Sequence, residues 1–274
     1  MSKLIITIAP TGSVPTKKNN PNVPISPDEI IQTGILCEKA GASIIHIHAR
    51  NPVDETASTD FQIFKEIYEG LHRETNLIIQ ISTGGRAGME YEKRSERLLL
   101  KPEMASLTTG SVNFPTSVYA NSPDLISALA KDMKTYGIKP EIECFDASMI
   151  QNALDLADRD LMDHPLHFDF VMGLKGAIPA TIENLVHFKN SIPKEATWTV
   201  AGIGAGQLPM CVHAIAMGGH VRVGLEDCIY FNKGELASNE QLVERMVQVS
   251  KIMGRKIATP DEARKILGLI KKLN

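Results

Sequence analysis

This chain of 274 residues has the composition of an ordinary globular protein, since hydrophobic residues make up 43% and charged residues 22%, which argues against a disordered or fibrous protein. A formal net charge of −3 argues against a nucleic-acid binder. The N-terminal apolar run is too short for a signal peptide and no apolar stretch spans 18 residues, so we expect a cytoplasmic, soluble protein without a membrane segment. We also expect buried free thiols at the four cysteines, Cys37, Cys144, Cys211 and Cys228.

Short apolar strands alternate with longer amphipathic helices along the whole chain. The strands are predicted at Leu4–Ile8, Ser43–His48, Leu77–Ile81, Met104–Thr108, Glu141–Phe145, Leu166–Val171, Thr197–Ala201 and Val221–Gly224. The helices are predicted at Pro27–Ala40, Asp60–Arg73, Glu90–Leu99, Pro123–Tyr136, Ser148–Leu161, Thr181–Asn190, Leu208–Met217, Asn239–Met253 and Pro260–Leu269. Capping signals support these bounds, such as Ser26 before Pro27 and a glycine at Gly41, Gly137 and Gly218.

Eight strand–helix repeats without a break in composition fit one closed barrel. We therefore predict a single (β/α)8 TIM-barrel domain over residues 1–274, with the last two helices as C-terminal additions. An open doubly wound sheet is the alternative, but it should carry a glycine-rich dinucleotide fingerprint after the first strand. Only Ala9-Pro10-Thr11-Gly12 stands there. The glycine run at 202–206, after the seventh strand, suits a loop near an anionic ligand better than a dinucleotide site.

The second predicted strand, in the segment ASIIHIHAR at 42–50, ends in two histidines one residue apart. Because side chains alternate along a strand, His46 and His48 lie on the same face. Two neighbouring imidazoles with a third ligand from elsewhere can hold a divalent metal and leave one position open for substrate. The alternative is a pair of core histidines with satisfied hydrogen bonds.

Other polar residues also lie at strand ends, where a barrel places its active site. They are Ser82, Thr83 and Gly85 after the third strand, Ser106 and Thr108 on the fourth, Glu141 and Glu143 on the fifth, and Arg222, Glu226 and Asp227 on the eighth. The structural alternatives are an ion pair inside the barrel (Glu143 with Arg222), a helix cap (Ser82 and Thr83) and an exposed acidic turn (Glu226 and Asp227). Convergence of all of them at one barrel end favours an active site, and a His, His, Glu set is a catalytic zinc pattern.

Six strand-end motifs, taken in this order, resemble the β-keto acid cleavage enzymes, whose type member cleaves 3-keto-5-aminohexanoate. The motifs are HIHAR, IIQISTGG, KPEMASL, PEIECFD, TWTVAGIG and VRVGLEDCI. The similarity extends from the first strand through ATPDEAR near the C-terminus, so it covers nearly the whole chain.

The resemblance implies a zinc-dependent barrel that converts a β-keto acid and acetyl-CoA into acetoacetate and a new acyl-CoA. It implies Zn²⁺ ligands at His46, His48 and Glu226, and catalytic roles for Asp227 as the base and for Arg222 and Glu143 as the residues that orient it. We expect the substrate to contact Ser82, Thr83, Gly85, Ser106, Thr108 and Val14. The family also implies a homo-oligomer, with a tetramer as the expected assembly, and the two C-terminal helices are candidates to pack on a neighbour or on their own barrel.

The loop after the first strand departs from the type member. Val14 stands where the type member has a glutamate that pairs with the substrate's amino group, and an apolar residue cannot pair with an ammonium. Thr108 replaces an asparagine, and Ala205-Gly206 replaces bulkier residues. We therefore expect a neutral or apolar β-keto acid. Lys17, Lys18 and Arg86 are basic residues on the predicted active face that could meet CoA phosphates, and the alternative, which is favoured for each residue taken alone, is solvation at the surface.

Two rival functions use the same residues. One is another metal-dependent barrel enzyme, an aldolase or a hydrolase, that does not use acetyl-CoA. The other is a non-enzymatic barrel in which the strand-end polar set is an ion-pair network. Metal content and acetyl-CoA dependence discriminate between them, and Co²⁺, Ni²⁺ or Mn²⁺ would also accept the ligand set.

Overall fold

Eight parallel strands form a closed barrel in the computed structural model, which describes residues 2–85 and 90–269. The strands are β1 (Ile6–Ile8), β2 (Ile44–Ile47), β3 (Ile78–Ile81), β4 (Met104–Thr108), β5 (Lys139–Cys144), β6 (His167–Met172), β7 (Thr197–Gly202) and β8 (His220–Val223). Each strand pairs with its neighbours in sequence, and β8 closes the barrel on β1. The predicted TIM-barrel fold is confirmed.

Helices surround the barrel and run close to their predicted bounds. They are α1 (Pro27–Ala40), α2 (Phe61–Glu74), α3 (Tyr91–Ser95), α4 (Pro123–Tyr136), α5 (Ser148–Asp158), α6 (Ile182–Ser191), α7 (Gln207–Met217), α8 (Asn239–Ile252) and α9 (Pro260–Leu267). The α1 bounds match because Ser26 and Glu29 form a capping box at its start and Gly41 ends it with a left-handed φ of +117°. None of the helices in the two described ranges is long and apolar enough to cross a membrane.

The segment after β3 differs from its prediction. Instead of one helix over Glu90–Leu99, α3 is followed by a 3₁₀ turn at Glu96–Leu100. A 3₁₀ turn places residues three apart above one another. Arg94 and Arg97 are both buried here and both donate to the backbone just after β3.

Both C-terminal helices pack on their own barrel. Helix α8 lies against α1 and α7. Helix α9 covers the N-terminal mouth of the barrel with an apolar cluster formed by Ile5, Ile44, Ile78, Met104, Ala258, Ala263 and Leu267. The opposite end, where the strands finish, therefore stays available for a site.

Three short hairpins follow strand ends and were not predicted. They join Ala49–Arg50 to Ala57–Ser58, Val112–Phe114 to Ser117–Tyr119, and Tyr230–Asn232 to Glu235–Leu236. They belong to the loops after β2, β4 and β8, so they surround the C-terminal end of the barrel. Of the four free cysteines, Cys37, Cys144 and Cys211 are buried as predicted, whereas Cys228, between β8 and the last hairpin, is partly exposed.

Candidate active site

Two histidines and one glutamate meet at the C-terminal end of the barrel. The His46 and His48 rings are 5.1 Å apart between centroids. Oε1 of Glu226, from the turn after β8, lies 3.9 Å from Nε2 of His46 and 3.5 Å from Nε2 of His48. One ligand atom from each residue lies within 4.8 Å of the others, so the three side chains could hold a metal ion, as the sequence predicted.

Gln80 fixes the orientation of the first histidine. It is the register partner of His46 on β3, and its Oε1 accepts a hydrogen bond from His46 Nδ1 at 2.5 Å. The proton on Nδ1 leaves the lone pair on Nε2, which is buried and has no hydrogen-bond partner among the described residues. Burial, followed by the charge of Arg222, lowers the pKa of His46 to about 4, so the ring is neutral at pH 7. A neutral, oriented imidazole with an orphaned nitrogen fits a metal ligand.

Gly12 allows the loop after β1 to pack on the third ligand. Its φ is +58°, and a Cβ added there would lie 2.5 Å from Glu226 Cγ. Any larger residue would therefore be strained and would displace the Glu226 side chain. Gly12 was not predicted as a site residue, because its close contact joins residues more than 200 positions apart in the sequence.

Arg222 links the ligand set to a neighbouring carboxylate. Its Nε and Nη2 donate to the two oxygens of Asp227 at 2.9 and 3.0 Å, and Nη2 also donates to Glu226 Oε1 at 2.6 Å. Burial alone would raise the pKa of Glu226, but the charge of Arg222 outweighs it and lowers the pKa well below its usual range. Glu226 is thus held as the anion that a metal prefers.

Asp227 is buried, so the alternative of an exposed acidic turn is wrong. Its side chain is 3% exposed and that of Glu226 is 16% exposed. Burial raises the pKa of Asp227 to about 6 against the opposing charge of Arg222. A carboxylate with a pKa just below neutral pH is ionised and basic enough to accept a proton. The glycine run after β7 supports this turn, because the Gly204 N–H donates to the Asp227 backbone carbonyl at 2.8 Å.

Glu143 faces Arg222 more loosely than the sequence suggested. Its Oε1 lies 3.7 Å from Arg222 Nη1, and Asp169 Oδ2 lies at the same distance from that nitrogen. The other Glu143 oxygen accepts from Thr108 Oγ1 at 2.6 Å. Burial raises the pKa of Glu143 against Arg222, and burial with the neighbouring Glu141 raises that of Asp169 well above its usual range. Asp169 was missed, although a charged residue within the apolar run of β6 was a usable signal.

Ser82 and Thr83 do not cap the following helix, so that alternative is also wrong. The N-cap of α3 is Glu90. Thr83 Oγ1 donates to the Ser106 carbonyl at 2.6 Å, and Ser82 Oγ accepts from the Gly84 N–H at 3.1 Å. The turn is therefore held by contacts of its own, next to β4.

Gly84 places the backbone of this turn close to Ser82, Tyr119 and the candidate ligand His48. A Cβ added at Gly84 would lie 3.1 Å from Ser82 Oγ, 3.4 Å from Tyr119 Oη and 4.0 Å from His48 Cε1. No positive φ accounts for glycine here, so the observed constraint is space. Gly85 follows, partly exposed, at the same edge. The Ser82, Thr83, Ser106 and Thr108 side chains predicted to contact substrate are thus buried around one region.

Of the residues predicted to select the tail of the β-keto acid and to bind CoA, Val14, Lys17 and Lys18 lie on the loop after β1. Val14 is 72% exposed. Lys17 Nζ forms an ion pair with Glu29 Oε1 at 2.6 Å, and Lys18 is exposed. Arg86 lies outside the described residues.

Comparison with known proteins shows the family of this chain. A family model described as beta-keto acid cleavage enzyme matches residues 3–269. A protein of Cupriavidus necator named 3-oxoadipate:acetyl-CoA acetyltransferase is 46% identical over 270 residues, covering 97% of this chain and 94% of that protein. A 3-keto-5-aminohexanoate cleavage enzyme of Acetoanaerobium sticklandii is 46% identical over 274 residues, covering 99% of this chain and all of that protein.

Solved structures agree on the fold. The apo structure of ObcA superposes with a TM-score of 0.79 at 22% sequence identity, covering 91% of this chain and 66% of that one. At this identity the likeness establishes the barrel architecture alone.

Proposed function

The chain belongs to the beta-keto acid cleavage enzyme family, and from that premise we propose that it is a zinc-dependent enzyme that converts a β-keto acid and acetyl-CoA into acetoacetate and a new acyl-CoA. One observation carries the proposal. A His46, His48, Glu226 ligand set lies directly beside a buried Asp227 that is paired to Arg222. We further propose a cytoplasmic homo-oligomer, with a tetramer as the expected assembly.

The donor set supports zinc as the resident metal. Two neutral imidazoles and one carboxylate are common ligands of catalytic Zn²⁺, and a three-residue set leaves a coordination position for substrate. When bound, Zn²⁺ supplies Lewis acidity toward the keto and carboxylate oxygens of a β-keto acid. The protein contributes the orientation of His46 through Gln80 and the anionic state of Glu226 through Arg222.

Asp227 is proposed as the base that starts the reaction. It takes a proton from the α-carbon of the β-keto acid, and Arg222 holds both of its oxygens in place. The resulting carbanion forms a carbon–carbon bond with the acetyl carbonyl carbon of acetyl-CoA, and CoA thiolate leaves. Arg222 is itself oriented by Glu143 and Asp169 on the other side of its guanidinium.

The second half of the reaction releases both products and returns the proton that Asp227 took up. The CoA thiolate attacks the original keto carbon, and the bond between that carbon and the α-carbon breaks. The departing carbon takes back the proton from Asp227, so the products are acetoacetate and the new acyl-CoA. Ser82, Thr83, Gly85, Ser106 and Thr108 are proposed to contact the substrate while these bonds change.

Substrate preference is proposed from the loop after β1. The two relatives with equal sequence identity are named for a substrate with a second carboxylate and for one with an amino group. Sequence identity alone therefore does not indicate which tail the β-keto acid substrate of this chain carries. Val14 carries no charge for either tail. We therefore propose a β-keto acid with a neutral or apolar tail.

A panel of three substrates tests this preference. We expect kcat/KM to be higher for 3-ketohexanoate than for 3-keto-5-aminohexanoate or 3-oxoadipate. Because Val14 is largely exposed, Val14→Glu should raise kcat/KM for 3-keto-5-aminohexanoate by only about fivefold, which is the scale of an exposed ion pair. The matched control is Val53→Glu, at an exposed valine in the hairpin after β2, which should leave the ranking unchanged. A wild-type preference for the amino substrate would contradict the role given to Val14.

A further inference from the structure

Two buried arginines lie behind the turn that follows β3. Arg97 Nη1 donates to the Ser82 carbonyl at 2.9 Å and to the Gly84 carbonyl at 3.1 Å. Arg94 Nε donates to the carbonyl between them, that of Thr83, at 2.7 Å. Three successive carbonyl groups of the turn thus accept hydrogen bonds from two guanidinium groups, which are 1% and 2% exposed as residues.

This arrangement fixes the direction of the backbone N–H groups. In a trans peptide the N–H points away from the carbonyl of the preceding residue. The N–H groups of Thr83 and Gly84 accordingly point away from the arginines, to Ser106 Oγ at 3.3 Å and Ser82 Oγ at 3.1 Å. The same planarity directs the Gly85 N–H away from the Gly84 carbonyl. Ser82 Oγ accepts a bond here and donates to none of the residues in 2–85 and 90–269, so its proton can go to a ligand.

Arg94 also starts a second chain of contacts that ends at Glu143. Its Nη2 lies 3.3 Å from Tyr119 Oη, which lies 3.2 Å from Thr108 Oγ1. Thr108 Oγ1 in turn donates to Glu143 Oε2 at 2.6 Å. A guanidinium can only donate, so Tyr119 accepts from Arg94 and directs its own proton to Thr108. Every hydrogen bond in this series is therefore donated in the same direction, from the Arg94 guanidinium toward the Glu143 carboxylate.

The charge of Arg94 is not cancelled by these partners. Its hydrogen bonds go to neutral oxygens, those of Thr83 O, Ala120 O, Tyr119 Oη and Asn121 Oδ1. A buried cation with neutral acceptors creates a positive potential in its surroundings. The position at Gly84 that glycine leaves without a side chain lies within 4.0 Å of Ser82 Oγ, Tyr119 Oη and His48 Cε1. An anionic group of the substrate gains from this potential.

We propose that Arg94 is a positioning residue for the reaction, which shapes the Ser82–Gly85 turn to receive the substrate carboxylate and holds Glu143 through Tyr119 and Thr108. This inference rests on the proposed function, because it concerns the same site. Arg97 supports the first branch through its two hydrogen bonds to the turn.

Three variants separate the two branches from a loss of stability. Arg94→Met removes both branches, and Tyr119→Phe removes only the second, because the ring stays in place. Arg255→Met is the matched control. Arg255 is also a buried arginine that donates to backbone carbonyls, those of Ser2 and Gly219 among them, but at the N-terminal end of the barrel.

The two kinetic constants should respond differently. Arg94→Met should raise the KM for the β-keto acid about 10- to 100-fold, the range for a lost charged hydrogen bond, and should also lower kcat. Tyr119→Phe should lower kcat about tenfold and leave that KM within about twofold. Arg255→Met should lower Tm but leave both constants within about twofold. Arg94→Lys should not restore the KM, because an ammonium cannot reproduce the planar fork.

A binding measurement makes the test independent of turnover. Calorimetry with acetoacetate on the metal-loaded protein should show affinity at least about tenfold weaker for Arg94→Met than for wild type, and unchanged for Arg255→Met. If wild type binds acetoacetate but shows no acetyl-CoA-dependent turnover, the proposed function fails while the role of Arg94 is still tested. Wild-type affinity in Arg94→Met, an equal loss in Arg255→Met, full restoration by Arg94→Lys, or no acetoacetate binding by wild type would each overturn the proposal.

Discussion

Replacing Asp227 by asparagine should lower kcat by about 10³-fold while the protein keeps its metal. Asparagine has the same shape and can still accept a hydrogen bond from Arg222, but it cannot take a proton from the α-carbon. Loss of a positioned general base costs about 10²- to 10⁴-fold in rate. The metal should remain, because the candidate ligand atoms belong to His46, His48 and Glu226. The measurement is kcat together with metal content on the same preparation.

Asp146→Asn is the matched control for this substitution. Asp146 follows β5 at the same end of the barrel, but it is exposed and accepts hydrogen bonds from Ser148. Its replacement should change kcat by less than about twofold, since exposed sites away from the chemistry contribute little. Near-wild-type activity of a metal-loaded Asp227→Asn protein would show that another group takes the proton.

Replacing His46 by alanine should reduce bound metal from about one ion per chain to almost none, and turnover should fall with it. Two ligands, His48 and Glu226, do not enclose an ion. Gln80→Leu should weaken metal binding less, by about 10- to 100-fold in affinity. The His46 ring remains in this variant, but the hydrogen bond that orients it is lost. Metal titration of the chelated proteins gives both values.

His187→Ala is the control for the metal experiment, since His187 is exposed on α6. It should keep full metal content and full activity. If His46→Ala bound one metal ion as tightly as wild type, the histidine pair would not be the metal site. If chelated wild type kept its activity, metal would not take part in the reaction.

Local patterns were sufficient to predict the barrel. The eight barrel strands and most of the helices show a clear periodicity of their own, and caps such as Ser26 and Gly41 fix the ends of α1 to the residue. The candidate ligand set was also predictable, because His46 lies on β2 and His48 directly follows it, and parallel strands of a barrel end together. The three hairpins were not, since strands of two or three residues have too few positions to show a period.

The supporting residues depend on contacts between distant parts of the chain. Arg94 and Arg97 both lie within the helix predicted over Glu90–Leu99, but the observed segment changes from α3 to a 3₁₀ turn between them and both side chains are buried. Gly12 and Tyr119 have neighbours that only the folded barrel brings close. Gln80 was accessible in principle, because an amide within the apolar strand IIQI needs a partner when it is buried.

The most direct test follows the acetyl group. The purified, metal-loaded protein is incubated with 3-ketohexanoate and acetyl-CoA that carries carbon-13 at its carbonyl carbon, and the products are read by NMR. The proposed reaction places the label at the keto carbon of acetoacetate and leaves the new acyl-CoA unlabelled. Unlabelled acetoacetate, or cleavage of the β-keto acid that proceeds without acetyl-CoA, would contradict the account and assign the site to an aldolase or a hydrolase.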